Sequence, residues 1–309
     1  MRKILRKILP YLTFAFICII GYLLYENLSS IEWDKVGTAI RKISPVTVVL
    51  SLGVSALIYF ILSNYDYLSF LYLKIKEGVK YTEILSRAFT CYAFNLNFGS
   101  LIGGLALRYR VYSKWKVSLD RIPYIIAAST FTNWLGYSFL LAIMISFKAR
   151  EIEGLIPLSA FWIRSVGIAI LFLITSYFWS SFKGKQFHFR GEDWQIPKIK
   201  FAAFQLMLST LQWSLQSVII YTLLRHLEVE VAYSQILFTF MISSIVAVFT
   251  HIPAGLGVLE VIFLRMELGI PHSDLLVALI IYRLVYYLIP LLAALPVYAG
   301  LEVKRKQKS

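Results

Sequence analysis

The chain has 309 residues, of which 59% are hydrophobic and only 16% charged, with a mean hydropathy of +0.70 and a formal net charge of +14. A water-soluble domain of this length carries about 25% charged residues, so the composition excludes an ordinary soluble enzyme and reads as one membrane domain over residues 1–309. Cys18 and Cys91 both fall in apolar segments without CxxC spacing, which argues against a disulfide framework or a cysteine metal site.

In chain order, the first element is the N-terminal stretch "MRKILRKILPYLTFAFICIIGYLLY". Its basic start and apolar core resemble a signal peptide, but "ENLSSIEWDK" follows with no small-residue cleavage site, so a retained span over 10–25 is expected. Residues 31–43 have helical apolar spacing and read as an amphipathic helix on the membrane surface. Further spans are expected over 46–73, 122–147, 160–182, 199–224 and 275–301. Their start signals are Ser44-Pro45, Asp120 with Pro123, Ser159 and Ser273.

Segments 83–112 and 233–268 differ from these. Each is an apolar stretch, a glycine-rich break and a second short apolar stretch, which reads as a re-entrant helical hairpin. Loop 183–200 alternates polar and aromatic residues around Arg190-Gly191, so a short β-hairpin is expected there. The fold class is therefore an all-α polytopic membrane protein with about six full spans and two opposed hairpins.

Positive charge orients the chain. With both termini cytoplasmic, the inside stretches carry 21 Lys and Arg and the outside stretches 6. The basic excess is thus a topology signal rather than a nucleic-acid footprint, and no nucleic-acid partner is expected. A shift of 152 residues carries the earlier spans and hairpin onto the later ones with opposite orientation, pairing Gly103 with Gly255 and Arg108 with Glu260. An inverted-topology repeat over about 10–147 and 160–301 follows, with broken helices at matching positions as in many transporters.

Candidate site residues cluster at the two breaks. In "HIPAGLGVLE" (251–260), Pro253 cannot continue a helix, Gly255 and Gly257 permit a tight tip, and His251 and Glu260 flank it. An intramembrane carboxylate is either a functional group or half of a structural ion pair. In "CYAFNLNFGSLIGGLALRYRVY", Asn95, Asn97 and Ser100 precede Gly103 and Gly104, and Arg108 is the candidate for an anionic group, while Arg110 reads as snorkelling to the interface. Within spans lie Asn64, Asp66, Thr132, Asn133, Trp134 and Arg283. Arg283 is expected to pair with Asp66 or with Glu260, because an unpaired charge there costs several kcal/mol. Gln205, Ser209, Gln212 and Gln216 share one helical face, either lining a cavity or joining helices by hydrogen bonds. There is no P-loop, no HExxH or Cys/His cluster and no GxSxG, so neither a nucleotide, a metal nor another cofactor is expected.

The segments "CYAFNLNFGSLIGGLALRYRVY", "TNWLGY", "HIPAGLGVLE" and "YRLVYYLIP" resemble the signatures of the lysylphosphatidylglycerol synthetase transmembrane-region family, in order and over nearly the whole chain. The resemblance implies a flippase-like membrane region that moves aminoacylated or other phospholipids between leaflets of the bacterial inner membrane. Its partner would be an anionic or aminoacylated phospholipid, with envelope-lipid proteins as possible further partners. Arg108, Gly255, Glu260 and Arg283 carry over as motif members. The family's enzymes add a cytoplasmic aminoacyl-transfer domain, and this chain ends at "LEVKRKQKS", so synthetase activity is not expected. A non-transporting scaffold and a membrane-embedded headgroup transferase, with Glu260 or His251 as base, stand as alternatives.

Overall fold

Hydrocarbon offers backbone groups no partner, so each apolar run closes its hydrogen bonds on itself as a helix. The computed structural model describes residues 41–75, 80–113, 117–151, 158–189, 192–250, 253–266 and 268–306, together with Thr38 and Glu153. The expected first span 10–25, most of the amphipathic segment 31–43 and His251 lie outside the described residues. The helices are α1 Pro45–Tyr72, α2 Tyr81–Gly99, α3 Leu107–Ser113, α4 Ile122–Lys148 and α5 Ala160–Phe182. They continue with α6 Ile199–His226, α7 Tyr233–Thr250, α8 Val258–Arg265, α9 His272–Arg283 and α10 Ile289–Lys306. π-Helical turns at Ser100–Ala106 and Leu284–Leu288 join α2 to α3 and α9 to α10. The fold is that of an all-α membrane protein, with one small antiparallel hairpin, β1 Gln186–Phe189 paired with β2 Glu192–Gln195, where the 183–200 loop predicts it.

Helix starts follow local chemistry. Ser44 Oγ accepts the Val46 N–H at 3.2 Å and so opens α1, as expected from Ser44-Pro45. α5 starts where Ser159 marks it: Ser159 is its N-cap, though its hydroxyl makes no capping bond, and the first N–H, on Ala160, donates to the Glu153 carboxylate at 3.0 Å. The last long helix begins at His272 after Pro271, which places Ser273 inside its first turn.

Five helices among the described residues are long and apolar enough to cross a membrane: 45–72, 122–151, 160–182, 233–250 and 272–301. This set differs from expectation in two places. α6 is a 28-residue helix, as the 199–224 reading requires, but its glutamine-bearing face lowers its apolarity below that of the five. Conversely α7, expected as one arm of a hairpin, is by length and composition a candidate span in its own right.

The described residues form two compact units. The first draws on the described residues up to Phe60, from 86 to 113 and from 215 to 306, and its core includes Ile58, Phe238, Phe263, Val285 and Tyr286. The second draws on 61–85 and 116–214, with Tyr65, Phe70, Ile122 and Tyr137 at its centre. Small residues set its helix crossings. A Cβ on Gly136 would run into the main chain of Ser209 and Thr210, and one on Gly167 into the Ala142 carbonyl, so both glycines let backbones meet closely. The Gln205 amide donates to Thr132 Oγ1 at 2.6 Å, while Tyr177 and Tyr65 donate to Gln205 and Gln212, each at 3.3 Å. In the first unit Tyr282 donates to Gln216 at 3.5 Å. The glutamine stripe therefore joins buried side chains, which is the hydrogen-bonding alternative.

Candidate functional site

Both glycine breaks lie in the first unit, and in both the chain doubles back. Gly99 ends α2 with φ +84, a value that glycine adopts without steric cost. Gly103 then sits against the main chain of Phe94 and Asn95, with no room for a Cβ. Residues eight or nine apart in a straight helix would be about 12 Å from each other. The return arm carries Arg108, buried, with its guanidinium carbon 4.6 Å from the ring centre of Tyr92 on the outgoing arm. Arg110, two residues further on, is exposed. Asn95 is half-buried and Gly104 buried.

The second break has the same logic and sharper geometry. Pro253–Gly255 form a single 3₁₀ turn, and Ala254, Gly255 and Gly257 all have positive φ, at 55, 57 and 81. A Cβ on Gly255 would lie 3.0 Å from that of Ala247, so α7 and α8 close directly on each other. Three left-handed residues within four positions leave carbonyls that no helix can satisfy.

Arg283 satisfies them. Its Nη1 donates to the Ala254 carbonyl and its Nη2 to the Gly255 carbonyl, each at 3.0 Å. Its Nε and Nη2 also grip both oxygens of Glu260, at 2.6 and 2.8 Å. Four of the five guanidinium N–H groups are thereby engaged in a planar fork that lysine cannot offer. The two side chains are only 16% and 14% exposed. Of the two expected pairings, Arg283 takes Glu260, and together they clamp the tip of the second break to the end of α9.

The helix changes character immediately after Arg283. Pro290 has no N–H and its ring crowds the carbonyl four residues back, that of Tyr286. The helix widens to a π turn over Leu284–Leu288, in which the Ile289 N–H reaches back to the Leu284 carbonyl. Tyr59 donates to the Tyr286 carbonyl at 3.0 Å and supplies the bond that Pro290 cannot. Asn97, two residues before Gly99, donates to the Tyr287 carbonyl at 3.1 Å and to its own helix at Ala93. The tip of the first break and the tip of the second therefore converge on residues 283–288. Tyr282 stacks on Tyr286 with ring centres 5.4 Å apart, and Tyr287 stands edge-on to both.

The structure thus gathers Asn97, Gly255, Glu260 and Arg283 of the predicted residues, and holds Gly103 and Arg108 within the arms of the first break. Pro253 and Gly257 shape the second tip. In the second unit, Asp66 is fully buried on α1 and Asn133 half-buried on α4, where its carbonyl accepts the Trp213 indole N–H at 3.1 Å. Asn64 accepts the Tyr81 hydroxyl at 3.0 Å, and Trp134 stands edge-on to Tyr137. Sequence reasoning missed Tyr59, Tyr286 and Tyr287. Tyr286 and Tyr287 have as a local signal the tyrosines just ahead of Pro290, and Tyr59 has none. Among the described residues no three His, Cys, Asp or Glu side chains gather in a metal-holding group.

A sequence model described as the lysylphosphatidylglycerol synthase TM region matches residues 11–294. Over 309 aligned residues the chain is 33% identical to inner membrane protein YbhN of Escherichia coli K12, covering 99% of this chain and 95% of that one. It is 29% identical to the uncharacterised protein slr0712 of Synechocystis, covering 90% and 88% of the two chains. Similarity to phosphatidylglycerol lysyltransferase of Staphylococcus aureus MRSA252 is 25% identity over 88% of this chain, but over only 31% of the lysyltransferase.

Proposed function

The chain belongs to the lysylphosphatidylglycerol synthase transmembrane-region family, and from that premise we propose that it is a phospholipid transporter of the bacterial inner membrane, without synthetase activity. The observation that carries this reading is the convergence of two glycine breaks on one buried cluster of charge and main-chain carbonyls. Irregular backbone at membrane depth persists only where protein or a polar cavity surrounds it, and transporters place their substrate sites at such breaks.

Element boundaries support an internal repeat. A shift of 152 carries α2 (81–99) to 233–251, against an observed α7 of 233–250, and α3 (107–113) to 259–265, against an α8 of 258–265. Gly103 and Gly255 then correspond, and each packs on the outgoing arm eight or nine residues earlier. In the proposed membrane arrangement both termini are cytoplasmic, and the two hairpins are re-entrant and enter from opposite faces.

In this reading a phospholipid headgroup would meet Arg108, buried on the return arm of the first break. Arg108 would hold the phosphate through paired donors. Arg283, Glu260, Asn95 and Asn97 complete the proposed polar path within the first unit, with Glu260 toward a cationic headgroup or a coupling proton. With no nucleotide motif, transport would be passive or driven by an ion gradient. The full engagement of the Arg283–Glu260 clamp also favours a second reading, in which the break is a structural hinge of a non-transporting scaffold.

The test is transbilayer movement of fluorescent phosphatidylglycerol and phosphatidylethanolamine in proteoliposomes. Arg108→Gln is expected to lower phosphatidylglycerol flux about tenfold or more, the loss of one charge-assisted phosphate contact, with Arg108→Lys restoring part of it. Equal flux in folded wild type and Arg108→Gln removes Arg108 from the headgroup path.

A further inference from the structure

Of the five candidate spans α5 is the least enclosed, with 11% of its span window buried, so most of its surface is left to lipid. Its ends are marked by exposed aromatic pairs, Phe161 with Trp162 and Trp179 with Phe182. Trp162 and Trp179 are 17 residues apart in sequence, about 26 Å along a helix. That is close to the hydrocarbon thickness of about 30 Å, and aromatic side chains gather at the two membrane–water boundaries.

Four exposed lysines follow the second pair: Lys183 and Lys185 where the chain leaves α5, Lys198 and Lys200 where it enters α6. The loop between them is closed at its base. The Ser181 hydroxyl donates to the Pro197 carbonyl, and the Ile196 N–H donates to the Lys185 carbonyl at 3.1 Å, before the chain runs out into β1 and β2. Gly184, with φ +61, makes the turn that returns the Lys185 N–H to the Ser180 carbonyl at 3.2 Å. The Lys183 ammonium stands 5.2 Å from the ring centre of Trp179, a cation held at the level of the aromatic pair.

Counter-charge is absent from this base. Between Glu153 and Glu228 the sequence has only Glu192 and Asp193 as carboxylates. Strand register pairs them with Phe189 and His188, three and two residues beyond the Gln186–Gln195 pair at the base. Along a strand that is about 7–10 Å. Among the described residues no ion pair engages any of the four lysines. Cations gathered at the boundary without a carboxylate of their own complement the phosphate of an anionic lipid.

We propose that the closed base of the 183–200 loop binds the headgroup of an anionic phospholipid. Lys183, Lys185, Lys198 and Lys200 are its cationic rim, and Trp179 and Phe182 lie against the upper part of the acyl chains. The site belongs wholly to the second unit, whereas Arg108, Glu260 and Arg283 belong to the first, and it does not rest on the transport reading. Lysines that only direct insertion act while the chain enters the membrane. Lysines that hold a headgroup continue to select between lipids in the folded protein.

The experiment uses the full chain in phosphatidylcholine bilayers with trace phosphatidylglycerol or phosphatidylethanolamine, each carrying a diazirine beside its glycerol esters. After photolysis the protein is cut with chymotrypsin, which ignores lysine, and labelled peptides are quantified. The ratio of phosphatidylglycerol to phosphatidylethanolamine labelling is expected to be well above that at 158–166, the other end of α5. Arg164, the cation at that end, already donates to the Ser146 carbonyl. Replacing Lys183 and Lys185 together by Gln, or Lys198 and Lys200 together, lowers the ratio at 176–200 about tenfold. Replacing Lys74 and Lys80, exposed lysines between α1 and α2, leaves it unchanged. Equal ratios at the two ends of α5, a ratio indifferent to both lysine pairs, or an equal loss with Lys74 and Lys80 would overturn the proposal. So would displacement of the labelled lipid by excess soluble glycerol phosphate, which would make the site a reader of free phosphate. Lipid movement enters none of these readouts, so this site and the transport reading stand or fall separately.

Discussion

Replacing Glu260 with alanine is expected to destabilise the protein by about 3–5 kcal/mol, the cost of removing one partner from a buried ion pair. The reason lies in what remains. Arg283 keeps its charge, its Nε and part of its Nη2 lose both carboxylate oxygens, and the site is too enclosed for bulk water to replace them. The two tip carbonyls of Ala254 and Gly255 are then held by a guanidinium no longer fixed from its other side. Glu260→Gln should lose less, because its amide oxygen still accepts one of the two bonds. Thermal unfolding in detergent, followed by intrinsic fluorescence, checks the order wild type, Gln, Ala. Equal melting temperatures for wild type and Ala would show that Arg283 holds the tip without its carboxylate.

Gly103→Ala is expected to be, with Gly136→Ala, among the most damaging single-methyl changes at the described glycines. The added Cβ meets main-chain atoms of Phe94 and Asn95, which cannot rotate away as a side chain can. Overpacking a core costs about 1–3 kcal/mol when side chains yield, and backbone contact on both arms raises that toward or beyond the upper end. The consequence reaches the site, because parting α2 from α3 moves Arg108 off Tyr92 and draws Asn97 from the Tyr287 carbonyl. Gly53→Ala supplies the contrast. It lies within α1 with nothing within 4 Å of its would-be Cβ, so it should be neutral or stabilising by about 0.5–1 kcal/mol, the usual helix-propensity gain. The pair, measured by thermal unfolding, separates packing from propensity. A Gly103→Ala protein as stable as wild type would mean that the arms do not meet there.

Much of the helix layout was legible in the sequence because apolar runs in hydrocarbon have one way to satisfy their backbone. Expected 160–182 is observed as Ala160–Phe182, and expected 46–73 as Pro45–Tyr72. The β-hairpin was legible from polar–aromatic alternation around Arg190-Gly191 in the sequence. At the site, the pairing of Arg283 with Glu260 was one of two partners that the cost of a lone charge allowed. What was not legible depends on partners distant in sequence. No local pattern says that Tyr59 will meet the Tyr286 carbonyl 227 residues away, or that Asn97 will reach Tyr287. A proline at 290 interrupts the helix by its chemistry, but the form this takes, a widened turn serviced by a tyrosine from another helix, is set by packing. Likewise no local pattern says that the Glu153 carboxylate will accept the first N–H of α5, beside its N-cap Ser159.

The measurement that tests the central claim most directly is lipid movement by the wild-type protein alone. Purified protein is reconstituted into vesicles containing trace fluorescent phosphatidylglycerol, cardiolipin, lysyl-phosphatidylglycerol or phosphatidylethanolamine, and accessibility to an external quencher is followed over time. The account predicts that protein-containing vesicles expose inner-leaflet lipid faster than protein-free ones, and faster for some headgroups than for others. Folded protein that moves none of the four, with or without an imposed proton gradient, would contradict transport and leave the two converging breaks as a structural hinge.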